Sequence, residues 1–211
     1  MPTSLISPVE PISFVHRTAP FDSPDWLFEP LYAGYRALLH LAPATCRIEP
    51  LDQPLIPGIE ELEARLAGVA PGGNEAVLDG LVVALDRHGA PLRAMAAEGF
   101  LAFAAFDLPW LAGDLRALPL AQRRARLASL IAQDTGPLFK IFSLEEHGRA
   151  LFAAARRMDL DGIVARRLSD PYGPESVWYA IPNPSVGQAD LTPPSFARRE
   201  PVRRHRRAAS E

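Results

Sequence analysis

One lysine, Lys140, stands among 21 arginines in this 211-residue chain. Covalent chemistry that needs an amine nucleophile therefore has a single candidate. Lys140 lies in the apolar run Leu138–Phe142, a setting in which a lysine usually packs its stem and puts its head in water. Sulfur chemistry has Cys46 alone, and one cysteine excludes an internal disulfide or a cysteine metal site. The five histidines (His16, His40, His88, His147 and His205) are scattered, with no spacing that makes a metal pair.

Acids, arginines and aromatics gather instead in four blocks. The first is Asp25-Trp26-Leu27-Phe28-Glu29-Pro30-Leu31-Tyr32-Ala33-Gly34-Tyr35-Arg36. The second, Ala76-Val77-Leu78-Asp79-Gly80-Leu81-Val82-Val83-Ala84-Leu85-Asp86, is an apolar run interrupted by Asp-Gly. The third runs from Phe103 through Phe106-Asp107-Leu108-Pro109-Trp110 to Arg116, then Pro119-Leu120 and Arg123-Arg124. The fourth is Met158-Asp159-Leu160-Asp161-Gly162-Ile163-Val164-Ala165-Arg166-Arg167, followed by Asp170-Pro171-Tyr172-Gly173 and Trp178-Tyr179-Ala180-Ile181-Pro182. Taken singly, each block reads as strand and turn, Phe106 as a core aromatic, and Glu29 and Arg36 as members of a strand-end ion pair.

In this order the blocks resemble the adenylation domain of ATP-dependent DNA ligases, especially the bacterial end-joining type, from about Trp26 to Pro182. The resemblance implies an α+β nucleotidyltransferase fold, with antiparallel sheets flanked by helices. It also shows what is missing. Where the family has the lysine that takes up AMP, this chain has Leu31, which has no lone pair with which to attack a phosphate. Ala33 replaces the aspartate two residues on. Leu81 replaces a glutamate that helps to hold the metal or ribose, and a hard cation needs oxygen ligands. Ala180 and Pro182 stand where two triphosphate-contacting lysines are expected. Carried over residue by residue, the resemblance leaves Glu29, Arg36, Phe106 and Arg166 as nucleotide-contacting positions, with Arg167 beside them. Phe106 would stack on adenine through a flat π face. Asp161, a shortened glutamate, would be a weak metal ligand.

The elements that must position these residues follow from periodicity. Short strands are expected at Trp26–Glu29, Arg36–Leu41, Cys46–Glu49, Ala76–Leu78, Leu81–Asp86, Phe100–Leu108, Leu138–Phe142, Gly162–Ala165 and Val177–Ile181, with Ala76–Asp86 read as a hairpin. Helices are expected at Pro57–Val69, where Ile59, Leu62, Leu66 and Val69 share a face, at Leu120–Ile131 with a basic face of Arg123, Arg124 and Arg126, and at Leu144–Met158 with Glu145 and Glu146 in its first turn. Asp52, Glu60, Glu61 and Glu63 read as a solvated face. Interleaved strands and helices without a βαβ repeat indicate α+β.

The expected organisation is an extended lead-in over 1–25, a nucleotidyltransferase-like domain over 26–182 and a disordered basic tail over 183–211. The chain ends about 30 residues after Trp178, so no OB domain is expected. Charge is divided unevenly. Phe196–Glu211 carries six arginines against two acids, +4, and the remainder carries 16 bases against 23 acids, −7. An acidic body does not offer the broad positive face that wraps duplex DNA. Nucleic-acid contact is expected from the tail arginines Arg203, Arg204, Arg206 and Arg207. With no basic, apolar leader and no long apolar run, the chain is expected to be soluble and cytoplasmic, without a membrane partner. The sequence thus suggests a degenerate ligase-like protein that needs no cofactor, although its family uses ATP and Mg²⁺. Its expected role is weak nucleotide binding or docking to DNA or a DNA-repair protein. Two alternatives stand beside this: residual ligase or nucleotidyltransferase activity through Lys140 or a non-covalent route, and a structural or interaction protein without ligand.

Overall fold

The two longest strands are apolar except for one buried aspartate each, because both of their faces are covered. The computed structural model describes residues 14–43, 45–51, 56–67, 75–92, 99–133 and 136–186. Among these, ten strands form two five-stranded sheets. One contains β1 (Phe14–His16), β2 (Ser23–Pro30), β8 (Leu144–Glu146), β9 (Gly162–Arg167) and β10 (Trp178–Pro182) in the order β1-β10-β9-β2-β8. The other contains β3 (Tyr35–Ala42), β4 (Thr45–Pro50), β5 (Ala76–Leu85), β6 (Phe100–Leu111) and β7 (Leu138–Lys140) in the order β4-β3-β5-β6-β7. Pairing is antiparallel except for β1 with β10 and β6 with β7.

Three helices cover the outer faces. α1 (Ile59–Ala67) and α2 (Leu120–Leu130) bury Leu62, Leu66 and Leu127 against the second sheet. α3 (Gly148–Arg157) buries Leu151, Phe152 and Ala155 against the first. Between the sheets, Leu81, Val83, Ala104, Phe106 and Ile141 meet Trp178. The result is helix, sheet, sheet, helix, the α+β nucleotidyltransferase architecture expected from the sequence. Leu66 is fully buried, and truncating such a leucine to alanine costs about 2–5 kcal/mol.

Several elements differ from their sequence reading. Ala76–Leu85 is one strand, buried along its whole length, and not a hairpin. Asp79-Gly80 passes as a turn signal, but Gly80 is there for close packing: a Cβ would stand 2.5 Å from the Ala104 carbonyl oxygen and clash with the Phe103 ring. Asp79 is held inside the strand by ion pairing, and the ladder to β6 shifts register on both sides of it. Leu144–Glu146 pairs as a strand with β2, so Glu145 and Glu146 precede the helix, which starts at Gly148. Part of the lead-in forms β1, which binds the edge of β10. After Pro182, Asn183 and Val186 are buried. The basic face assigned to α2 is only partly solvated, because Arg123 and Arg124 point inward. Glu63 accepts a hydrogen bond from Ile48 N at 2.6 Å and is half-buried, while Glu60 and Glu61 are exposed. No helix among the described residues is long and apolar enough to cross a membrane.

Candidate functional site

Strand alternation brings the marked side chains together where the two sheets face each other. Glu29 on β2, Phe106 on β6, Arg166 on β9 and Trp178 on β10 point into this space, and Leu31 and Leu81 complete its apolar walls. They surround a cavity of about 30 Å³, room for water rather than for a purine. Leu31 is buried in that wall, its amide bonded to the Gly162 carbonyl at 3.0 Å. Its carbon side chain forms part of the cavity wall.

The charged groups around the cavity are engaged with one another. Arg36 donates from Nε and Nη2 to the two carboxylate oxygens of Asp79 at 3.2 and 2.7 Å, and the Tyr172 hydroxyl donates to the same carboxylate at 2.7 Å. Arg123 makes the equivalent fork to Asp107 at 2.8 and 2.9 Å. Arg166 Nη2 donates to Glu29 Oε2. Arg124 Nη1 lies 3.0 Å from Glu29 Oε1, an ionic contact rather than a directed hydrogen bond, and donates to the Phe106 carbonyl at 2.8 Å. Arg166 Nη1 sits 3.9 Å from Asp107, which joins the Glu29 and Asp107 pairs. All seven charged members are buried, four arginines against three carboxylates. Asp79 and Asp107 are directly opposed across β5 and β6. Like charges so placed repel, and an arginine fork on each makes the pairing tolerable.

The aromatic faces are also taken. The Arg166 guanidinium lies 4.7 Å from the Phe106 ring centre and 4.9 Å from that of Trp178, and Trp178 meets Phe106 edge-on at 5.4 Å. Arg36 approaches Trp178 at 5.0 Å. Burial raises the Tyr172 hydroxyl well above the usual tyrosine range, with Asp79 adding to the rise. Tyr32 is raised by burial and by Glu29. Burial lowers Arg124, against the pull of Glu29.

Of the sequence-marked positions, Glu29, Leu31, Phe106 and Arg166 line one cavity, and Arg36 lies behind it. Asp161 lies outside it, in the turn before β9, where its carbonyl accepts from Asn183 N at 2.8 Å. Lys140 is half-buried on β7 between Phe139 and Ile141, both of which pack between the sheets, so alternation turns Lys140 away from the cavity. Arg167 is exposed on the opposite face of β9. Arg203, Arg204, Arg206 and Arg207 lie outside the described residues. Sequence reasoning gave no role to Asp79, Asp107, Arg123, Arg124 and Tyr172. Adjacent arginines in α2 beside Leu120 and Leu127 were the available signal, since two neighbouring positions beside a buried stripe cannot both be free of it.

A divalent cation does not fit these residues. Glu29, Asp79 and Asp107 each face a guanidinium, Leu81 offers carbon, and no group of three His, Cys, Asp or Glu side chains among the described residues is placed to hold a metal.

No protein-family profile matches the chain. It is 33 % identical over 158 residues to the multifunctional non-homologous end joining protein LigD of Pseudomonas aeruginosa, covering 70 % of this chain and 19 % of that protein. The chain spans about a fifth of the length of the curated relatives it matches. The ligase domain of LigD from M. tuberculosis superposes with a TM-score of 0.68 at 26 % identity, over 82 % of this chain and 58 % of that one. A mycobacterial DNA ligase D complexed with ATP and MES gives 0.67 at 26 %, over 82 % and 60 %.

Proposed function

We propose, from the premise that this chain is a relative of the ATP-dependent DNA ligase adenylation domains of bacterial end-joining systems, that it is a non-adenylating scaffold. It serves DNA repair by docking rather than by sealing. The observation that carries this reading is Leu31 in the cavity wall. Self-adenylation forms a P–N bond between a neutral amine and the α-phosphorus and expels pyrophosphate, and a leucine cannot take part. The chain's lysine faces elsewhere, and the carboxylates around the cavity are paired with arginines. Nucleotide affinity is weak on this reading, because a purine must displace Arg166 and Trp178 from Phe106 and open buried ion pairs.

The test is incubation of the purified chain with α-labelled ATP and Mg²⁺ or Mn²⁺. No covalent label is expected, and calorimetry should place ATP binding at a Kd of about 1 mM or weaker. A labelled band that disappears in Lys140→Ala would overturn the proposal, as would a nicked duplex sealed by the chain alone.

A further inference from the structure

α3 leaves part of the outer face of the first sheet uncovered, and an unusual group of side chains lies there. Trp26 and Tyr179 stack with ring centres 5.1 Å apart and 25° between planes. Phe21 stands edge-on to both, at 5.3 and 6.2 Å. Two exposed arginines stand over this aromatic group. Arg17 is 4.3 Å from the Phe21 ring centre and 5.6 Å from that of Tyr179, and Arg167 is 5.2 Å from that of Trp26.

Register explains the assembly. Trp26 on β2 pairs with Arg167 on β9, and Val15 on β1 pairs with Tyr179 on β10, so these side chains share one face. Val15 and Val177 flank Tyr179 and are 50 % and 37 % exposed, two of the four large hydrophobics left open on the molecule's described surface. Among the described residues, no carboxylate lies within 4 Å of Arg17 or Arg167. Arg17 Nε donates to the Ala19 carbonyl at 3.2 Å, which tethers its head near the rings. The adjoining helix adds exposed Arg156 and Arg157, and Arg149, which is paired with Asp22.

We propose that this platform binds single-stranded nucleic acid. Each guanidinium stands over a ring on an exposed residue, and a base that meets it can extend the stack. The N–H edges then meet phosphate oxygens in forked geometry. An acidic peptide would use the charge but has no flat groups with which to prolong the stack. A duplex has its bases already stacked and offers only phosphates. The surface lies across the first sheet from the cavity, so this inference stands or falls independently of the non-adenylating reading.

The test is fluorescence anisotropy with a labelled thymidine 12-mer and the full chain. In Arg17→Ala/Arg167→Ala, affinity should fall at least tenfold. The slope of log affinity against log salt should shrink by about 1.4, at about 0.7 per phosphate contact on a single strand. Arg156→Ala/Arg157→Ala removes the same charge beside the stack and should lose less than threefold. Arg17→Lys/Arg167→Lys keeps the charge and loses the plane, and should bind at least fivefold more weakly than the parent, which keeps the test valid should the alanine pair be destabilised. Several results would overturn the proposal: no binding by the parent, equal losses in both alanine pairs, parental affinity in the lysine pair, or a duplex 12-mer bound as tightly as the single strand. So would binding that vanishes on removal of 196–211 and is untouched in the Arg17/Arg167 variants.

Discussion

Replacing Arg36 by methionine tests whether the buried network is structural. Asp79 is 0 % exposed, and its carboxylate has a two-pronged bond from Arg36 and one from Tyr172. Without Arg36, a full negative charge stays in the interior with one neutral donor. Removing one partner of a buried ion pair costs about 3–5 kcal/mol. Domains of this kind are stable by about 5–15 kcal/mol in total. At about 2–4 °C per kcal/mol for 150–250 residues, the melting point should fall by roughly 6–20 °C. The second arm replaces the unit: Arg36→Met with Asp79→Leu and Tyr172→Phe removes charge and donor together and leaves nothing buried and unpaired. That variant should unfold within about 2 kcal/mol of the parent, well above the single variant, since apolar replacement of a whole buried pair is often neutral. Urea unfolding followed by circular dichroism reads both. If Arg36→Met costs under about 1 kcal/mol, or the triple variant is worse than the single, the pair is not an internally compensated strut and the reasoning fails.

Three further outcomes follow from single sites. Burial pushes the Cys46 thiol up to about 12, so at pH 8 its thiolate fraction is smaller than that of a free cysteine by about three orders of magnitude; Ellman's reagent should label the native chain at least a hundredfold more slowly than the urea-unfolded chain. His40 is held below the ordinary histidine range by burial, against the opposing pull of Glu49 at 3.1 Å. The folded state therefore favours the neutral ring, and stability present above about pH 6.5 is lost as pH falls through the histidine range towards the depressed value; melting points at pH 7.5 and 5.5 should differ less in His40→Asn than in the parent. Gly80→Ala should cost about 1–3 kcal/mol, because the new methyl meets the Ala104 carbonyl 2.5 Å away and backbone there cannot yield cheaply; an unchanged urea midpoint would contradict the packing argument.

What could be read in the sequence depended on how local its cause was. The helix of Leu62 and Leu66 announces itself by period, and β3 and β6 by apolar runs between turns. The Asp79-Gly80 turn signal misled because its cause lies 24 residues away in Ala104, whose carbonyl occupies the space that a side chain would need. The strand at Leu144–Glu146 was hidden because Glu145 and Glu146 suit a helix start equally well, and only the free edge of β2 decides between them. At the site, the positions Glu29, Leu31, Phe106 and Arg166 were legible because the motif framework survives around them. Their partners were not. Adjacency in Arg123-Arg124 signals only that one of them is drawn to the buried stripe, and not that both turn inward to meet Asp107 and Glu29.

The pairing of acids with arginines explains how so many charges are buried in one core. Leu31 and Leu81 present carbon to the cavity and pack its wall. A buried carboxylate must be paired or protonated, and here Glu29, Asp79 and Asp107 each have an arginine. Arginine suits this better than lysine, since its fork satisfies two oxygens at once and stays charged when buried. Arg166 further covers the faces of Phe106 and Trp178 that a ring could stack on. On the proposed reading, a lysine placed at Leu31 therefore should not take up AMP. The new amine would meet a cavity of about 30 Å³ in which the lining arginine and carboxylate, Arg166 and Glu29, are already paired with each other. Leu31→Lys should remain unlabelled by α-labelled ATP and lose stability by burying an unpaired cation. A labelled Leu31→Lys chain would mean that the network opens readily, and that the ion pairs described here hold the site closed only loosely.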